Sequence, residues 1–105
     1  MRNEYSIKFV PLANKDLNQI YYYISEELLE DQMAIKVIRK IESSIMRLKN
    51  FPLSCRLVED DYLRDKGYRK LVVDSYIVFY LVNESQKQVI IMRILNDAQK
   101  YQNYI

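Results

Sequence analysis

The sequence predicts an α+β domain: one strand, two amphipathic helices, three further strands and a short closing helix. Two observations carry this. Apolar residues recur at helical spacing through the first half, and from Gly67 onward β-branched and aromatic residues crowd into three short runs. Length sets the bound. At 105 residues, half of them hydrophobic, the chain suffices for one compact domain over residues 1–105.

Tyr5 to Val10 reads as the first strand, because Tyr5, Ile7 and Phe9 alternate with Ser6 and Lys8. Pro11 ends pairing and suits the first turn of a helix, where a missing N–H costs nothing. Leu17, Ile20, Tyr21, Ile24 and Leu28 then form one apolar stripe, giving a helix from Leu12 to about Leu29. Asp31 is a good N-cap for a second helix. Its stripe is Ala34, Val37, Ile38, Ile41, Ile45 and Leu48, and Pro52 stops it. With almost no connection between them, the two helices should form an antiparallel hairpin. Lys36, Arg39, Lys40, Arg47 and Lys49 on the second helix read as a solvated face, with phosphate binding the lesser reading.

Leu53 to Lys66 is less regular and carries the acidic run Glu59-Asp60-Asp61; a short strand or a loop fits it. Tyr68 to Val73, Tyr76 to Val82 and Gln88 to Leu95 read as strands, separated by turns at Asp74-Ser75 and Asn83 to Gln86. Asn96 or Asp97 can cap a short helix from Ala98 to Ile105. The expected order is β-α-α-β-β-β-α: an antiparallel sheet of about four strands with the helical hairpin on one face.

Composition removes several chemistries. There is no histidine, so neither a Ser-His-Asp triad nor histidine-ligated zinc is available, and no metal or cofactor is expected. Cys55 stands alone, which rules out an intrachain disulfide and suits a reducing compartment. Without a histidine partner it reads as a small, half-buried side chain. No apolar run reaches the roughly 20 residues that span a bilayer. Met1-Arg2-Asn3-Glu4-Tyr5 lacks a secretory signal's apolar stretch, so a cytoplasmic location is expected. A formal charge of +2 is too small to imply nucleic-acid binding by itself.

The strands hold an anomaly. A sheet covered on one side should alternate apolar and polar residues. Here Tyr76, Val78, Tyr80 and Val82 point one way, and Ile77, Phe79 and Leu81 the other. In the last strand Ile90, Met92 and Ile94 oppose Val89, Ile91, Arg93 and Leu95. Two helices can cover only one face. Ile77, Phe79 and Leu81 therefore call for a second cover, from the terminal segments, from self-association or from a partner.

The ordered set of segments resembles the RelE/ParE toxins. Tyr5-Ser6-Ile7-Lys8-Phe9-Val10-Pro11-Leu12-Ala13 with Asp16, Leu17 and Ile20 is similar to their first strand and helix, and Leu48-Lys49-Asn50-Phe51-Pro52 to the end of their second helix. Tyr68-Arg69-Lys70-Leu71, Tyr76 to Tyr80 and Val89 to Leu95 resemble their strand core. The resemblance implies the growth-inhibiting toxin of a type II toxin–antitoxin pair, held in a hetero-oligomer by a cognate antitoxin that would explain the surplus apolar face at Ile77, Phe79 and Leu81. It implies one of two targets, mRNA on the ribosome or DNA gyrase. For an mRNA endoribonuclease it implies Arg69, Lys70 and Arg93 as phosphate-holding cations and Tyr101 or Tyr104 as acid–base groups. Each has an ordinary reading beside it: ion pairs for the arginines, a solvated strand residue for Lys70, packing for the tyrosines. The chain also departs from the ribonuclease pattern. Asn96-Asp97-Ala98-Gln99 follows the last strand without a base, and Ile77 stands where ribonuclease members often carry arginine. A ParE-like gyrase poison without nuclease activity, or an inactive interaction module, stays open.

Overall fold

Alternation does make Ser6–Phe9 a strand, β1, in the computed structural model, which describes residues 4–105. Met1 to Asn3 of the expected domain lie outside the described residues. Pro11 opens helix α1, Pro11–Tyr22, as its ring requires. Helix α2 follows at Asp31–Met46, a short helix α3 at Asp61–Asp65, and strands β2 (Arg69–Val73), β3 (Tyr76–Asn83) and β4 (Gln88–Asn96). The sheet order is β1-β4-β3-β2. β2, β3 and β4 form the expected antiparallel meander, whereas β1 lies parallel to β4, so the sheet is mixed. The helical hairpin between them carries the chain back across the sheet, which is what lets β1 and β4 run the same way.

The two helix stripes meet one face of the sheet. Ala13, Leu17, Ile41, Ile45 and Leu48 pack there with Val78, Tyr80, Val89, Ile91 and Ile94. Tyr80 is fully buried and donates its hydroxyl to the Pro52 carbonyl at 3.0 Å, which ties the segment after α2 to the sheet.

Four expectations change. The first helix does not run regularly to Leu29. Tyr23–Glu27 winds as a π-turn, which rotates Leu28 off the apolar stripe and leaves it exposed. Asp31 is not the N-cap of α2. Glu30 holds that position, and the Asp31 carboxylate instead accepts from the Ser25 hydroxyl. The irregular stretch contains α3, capped by Asp60 Oδ1 accepting from Leu63 N at 3.0 Å. It ends in Gly67, the only glycine, at a φ of +93° that side-chain-bearing residues rarely adopt. The tail forms only a 3₁₀ turn, Tyr101–Asn103, rather than a helix from Ala98 to Ile105.

The second apolar face is closed by the chain itself. Val58, Leu63, Tyr68 and Leu95 form a separate core with Phe79, joined at its rim by Ile77, Leu81, Met92, Tyr101 and Ile105. Phe79 is 1% exposed, so Ile77, Phe79 and Leu81 do not form the open partner-facing surface the sequence suggests. The physical reason is α3 and the tail, whose covering residues are scattered through segments without a clear period. Ile77 and Leu81 are half-buried, and Leu81 lines a shallow groove of 420 Å³ with Lys66 and Ile90.

A β-bulge in β4 breaks the strict alternation. Phe79 pairs with Arg93 and Tyr80 with Ile91, leaving Met92 unmatched. Ile91 and Ile94 thus share the helix-covered face, while Met92 and Leu95 join the outer core.

If the outer face is true core, Phe79→Ala should cost about 3–5 kcal/mol, the range for emptying a buried aromatic site. Urea denaturation reads this directly. A loss below about 1 kcal/mol would mean an open face instead.

Candidate functional site

Register decides which of the expected residues meet. β2 pairs with β3 so that Lys70 lies opposite Phe79, and β3 pairs with β4 so that Phe79 lies opposite Arg93. Lys70, Phe79 and Arg93 therefore form one cross-strand row on the outer face. Tyr101 roofs the row, its ring stacked on Phe79 with centroids 5.1 Å apart. Arg69, one residue earlier, faces the other way. It pairs with Tyr80, and its Nη1 donates to the Cys55 carbonyl at 2.6 Å.

Each member of the row has an intramolecular partner. Arg93 donates from Nε to Asp16 Oδ2 at 2.8 Å and from Nη2 to Asp16 Oδ1 at 2.9 Å, a two-point pairing that fits the planar guanidinium. Its Nη1 donates to the Tyr104 carbonyl at 2.7 Å. The Asp16 carboxylate, through its hydrogen bonds first and its charge second, holds the Arg93 pKa above its ordinary value against the opposing effect of burial. Lys70 Nζ stands 3.6 Å from the Glu59 carboxylate. The Tyr101 hydroxyl accepts from Asp60 N at 3.1 Å, fixing the start of α3. The Tyr104 ring lies 5.8 Å from the Arg93 guanidinium and is partly exposed.

Asp16 is the residue that sequence reasoning missed. It is only 6% exposed, and no apolar pattern marks it. Its Oδ2 also accepts from Ile94 N at 2.9 Å. β1 stops pairing at Phe9, with Val10 N donating to the Ile91 carbonyl, so the next outward N–H on β4 lacks a strand to meet. The Asp16 carboxylate takes its place. A carboxylate one turn into α1, facing inward between Ala13 and Leu17, was the available signal.

Beside this pair opens a cleft of 450 Å³, lined by Asp16, Arg93, Tyr23, Tyr76, Asn96 and Tyr104 among others. Burial first, and the neighbouring Tyr23 second, push the Tyr76 phenol pKa upward. The two cations of the row, Lys70 and Arg93, are each ion-paired within the chain. The contacts of Asp16 and Arg93 tie α1, β4 and the tail together.

The whole shape has solved counterparts. The chain is similar to a chain in the chromosomal ParDE toxin–antitoxin system of P. aeruginosa, with 22% identity over 90% of this chain and 97% of that one, at a TM-score of 0.73. It is similar to a chain of the RelBE2 toxin–antitoxin complex of Mycobacterium tuberculosis, with 17% identity over 89% and 98% of the two chains and a TM-score of 0.62. A chain of the E. coli DinJ–YafQ toxin–antitoxin complex follows at 18% identity, covering 90% and 94%, with a TM-score of 0.57. These establish a RelE/ParE-like toxin fold. No curated protein sequence matches significantly. The family model described as ParE toxin of type II toxin–antitoxin system, parDE, matches residues 7–101, and the chain belongs to that family. Among the described residues no helix is long and apolar enough to cross a membrane.

Two outcomes follow from this geometry. Removing one partner of the Asp16–Arg93 pair, as in Asp16→Ala, should cost about 3–5 kcal/mol, because the other charge stays largely enclosed. The loss would appear in chemical denaturation. Alkaline pH should also destabilise the fold. Burial, with Cys55 as a lesser cause, raises the Tyr80 pKa well above 10.0. The folded chain then keeps a proton that the unfolded chain loses, so this stability is complete below pH 10 and falls as pH rises beyond it. Denaturation followed from pH 8 upward should show the fall, and Tyr80→Phe should flatten it.

Proposed function

We propose that this chain is the toxin of a type II toxin–antitoxin module that arrests growth by binding its target, DNA gyrase, rather than by cutting mRNA, and that a cognate antitoxin neutralises it in a hetero-oligomer. The observation that carries the non-nuclease reading is the filled row on the outer face. Lys70, Arg93 and Tyr101, the groups a ribonuclease would turn toward a phosphate, each already have a partner in the chain: the Glu59 carboxylate, Asp16 with the Tyr104 carbonyl, and the Asp60 N–H from which the Tyr101 hydroxyl accepts. A ribonuclease needs cations free to meet charge as it develops on the phosphate, and a proton shuttle beside them. Phe79 and the stacked Tyr101 fill the space between Lys70 and Arg93. The family match supports the toxin reading. The RelBE2 and DinJ–YafQ structures, each a toxin–antitoxin complex, support an antitoxin partner. A cytoplasmic site of action fits both.

Tightly controlled expression tests this. The chain alone should stop growth, and co-expression of the antitoxin encoded beside it should restore growth. Purified toxin should trap gyrase on cleaved plasmid DNA. Lys70→Ala and Tyr101→Phe should keep toxicity within about threefold of the parent, since a nuclease stripped of a catalytic group typically loses a hundredfold or more. A large loss in both variants at equal soluble expression would favour the nuclease.

A further inference from the structure

The tip of the helical hairpin carries apolar surface that the fold itself does not use. Leu28 and Leu29 are 52% and 83% exposed. Leu29 also sits at a φ of +54°, a left-handed conformation disfavoured for leucine and normally given to glycine. A residue just before an N-cap commonly folds back on the fourth residue of the helix. Here that residue is Ala34, which is already fully buried, and Leu29 remains in solvent. The chain thus bears an exposed leucine and local strain at a turn where glycine would serve the fold better.

The same tip is set apart by charge. No Lys or Arg stands between Lys15 and Lys36, while Glu26, Glu27, Glu30 and Asp31 all lie there, exposed. Without those four acids the chain would carry +6 rather than +2. The body of the toxin is therefore strongly basic and its tip wholly acidic. The Ser25 hydroxyl donates to the Asp31 carboxylate, bridging the π-turn to α2 and holding the tip in shape.

We propose that this tip is the surface that engages the target: a leucine plug collared by carboxylates, seated in an apolar-floored, cation-rimmed groove of a DNA-handling enzyme. Charge selects the occupant. Anionic lipid and a second copy of the same tip are both repelled by four carboxylates. An antitoxin segment drawn by charge to a body of +6 would be acidic, and four carboxylates would repel it from the tip in the same way. Enzymes that hold DNA present cationic grooves to phosphate, and a compact acidic tip competes for such a groove. The leucines supply the desolvated centre and the carboxylates the rim, the usual division of labour at a protein interface. This rests on the target-binding reading proposed above and names the surface that performs it.

Leu29→Gly is the informative variant, because it relieves strain while removing the plug. Its thermal midpoint should hold or rise. The concentration of purified toxin needed to trap gyrase on cleaved DNA should rise by about tenfold, and growth arrest at matched expression should weaken in parallel. The exposed charge variant Glu27→Lys should weaken gyrase trapping, and added salt should weaken the parent more than this variant. Affinity for the purified cognate antitoxin should stay within about twofold for both. Unchanged gyrase trapping and growth arrest by Leu29→Gly would overturn the proposal, as would an equal loss of antitoxin affinity, which would give the tip to the antitoxin. A parent toxin that arrests growth without touching gyrase would instead overturn the target, and the growth comparison between parent and Leu29→Gly would still decide the role of the tip.

Discussion

The Asp16 carboxylate is the contact on which the arrangement depends. It sits where β1 has ended and β4 continues, and there it accepts from the Ile94 backbone and the Arg93 guanidinium at once. An unpaired N–H on a covered sheet edge would cost about 1–3 kcal/mol, and an unpaired buried carboxylate more. Each solves the other's problem. The third donor of Arg93 then reaches the Tyr104 carbonyl, so one side chain joins α1, the bulged strand and the tail. The tail in turn lays Tyr101 over Phe79.

This contact also shapes the outer face of the sheet. A mixed sheet of this kind offers an outer face, and the fold is compatible with placing phosphate-handling residues there. In this chain Lys70 and Arg93 reach that face, on either side of Phe79, but the space between them is core. The Phe79 and Tyr101 rings and the ion pairs to Glu59 and Asp16 hold the two cations apart. Exposed surface lies outside the row, at the hairpin tip and along the cleft beside Tyr76 and Tyr104.

Much of this was legible in the residues. The helix stripes and the β-rich runs locate every long element, because burial imposes a period on helix and strand alike. The doubly apolar β3 correctly demands a second cover for Phe79. Its source was hidden: Val58 and Leu63 come from a stretch of mixed composition, with no period to join them. The π-turn and the bulge at Met92 were hidden for a related reason. Each inserts one residue into a regular count, so Leu28 and Ile94 end on the face opposite to the one a strict count assigns. At the site, Arg93 was visible as an isolated charge on an apolar strand and its ion-pair reading holds. Asp16 was not, because its partners are 77 and 78 residues away.

Purified toxin added to a cell-free translation reaction, with the 5′ ends of the mRNA mapped over time, tests the central claim most directly. The closed row predicts full-length message, at toxin concentrations that suffice to trap gyrase. Fragments phased to ribosome position, and lost together in Lys70→Ala and Arg93→Lys, would contradict it.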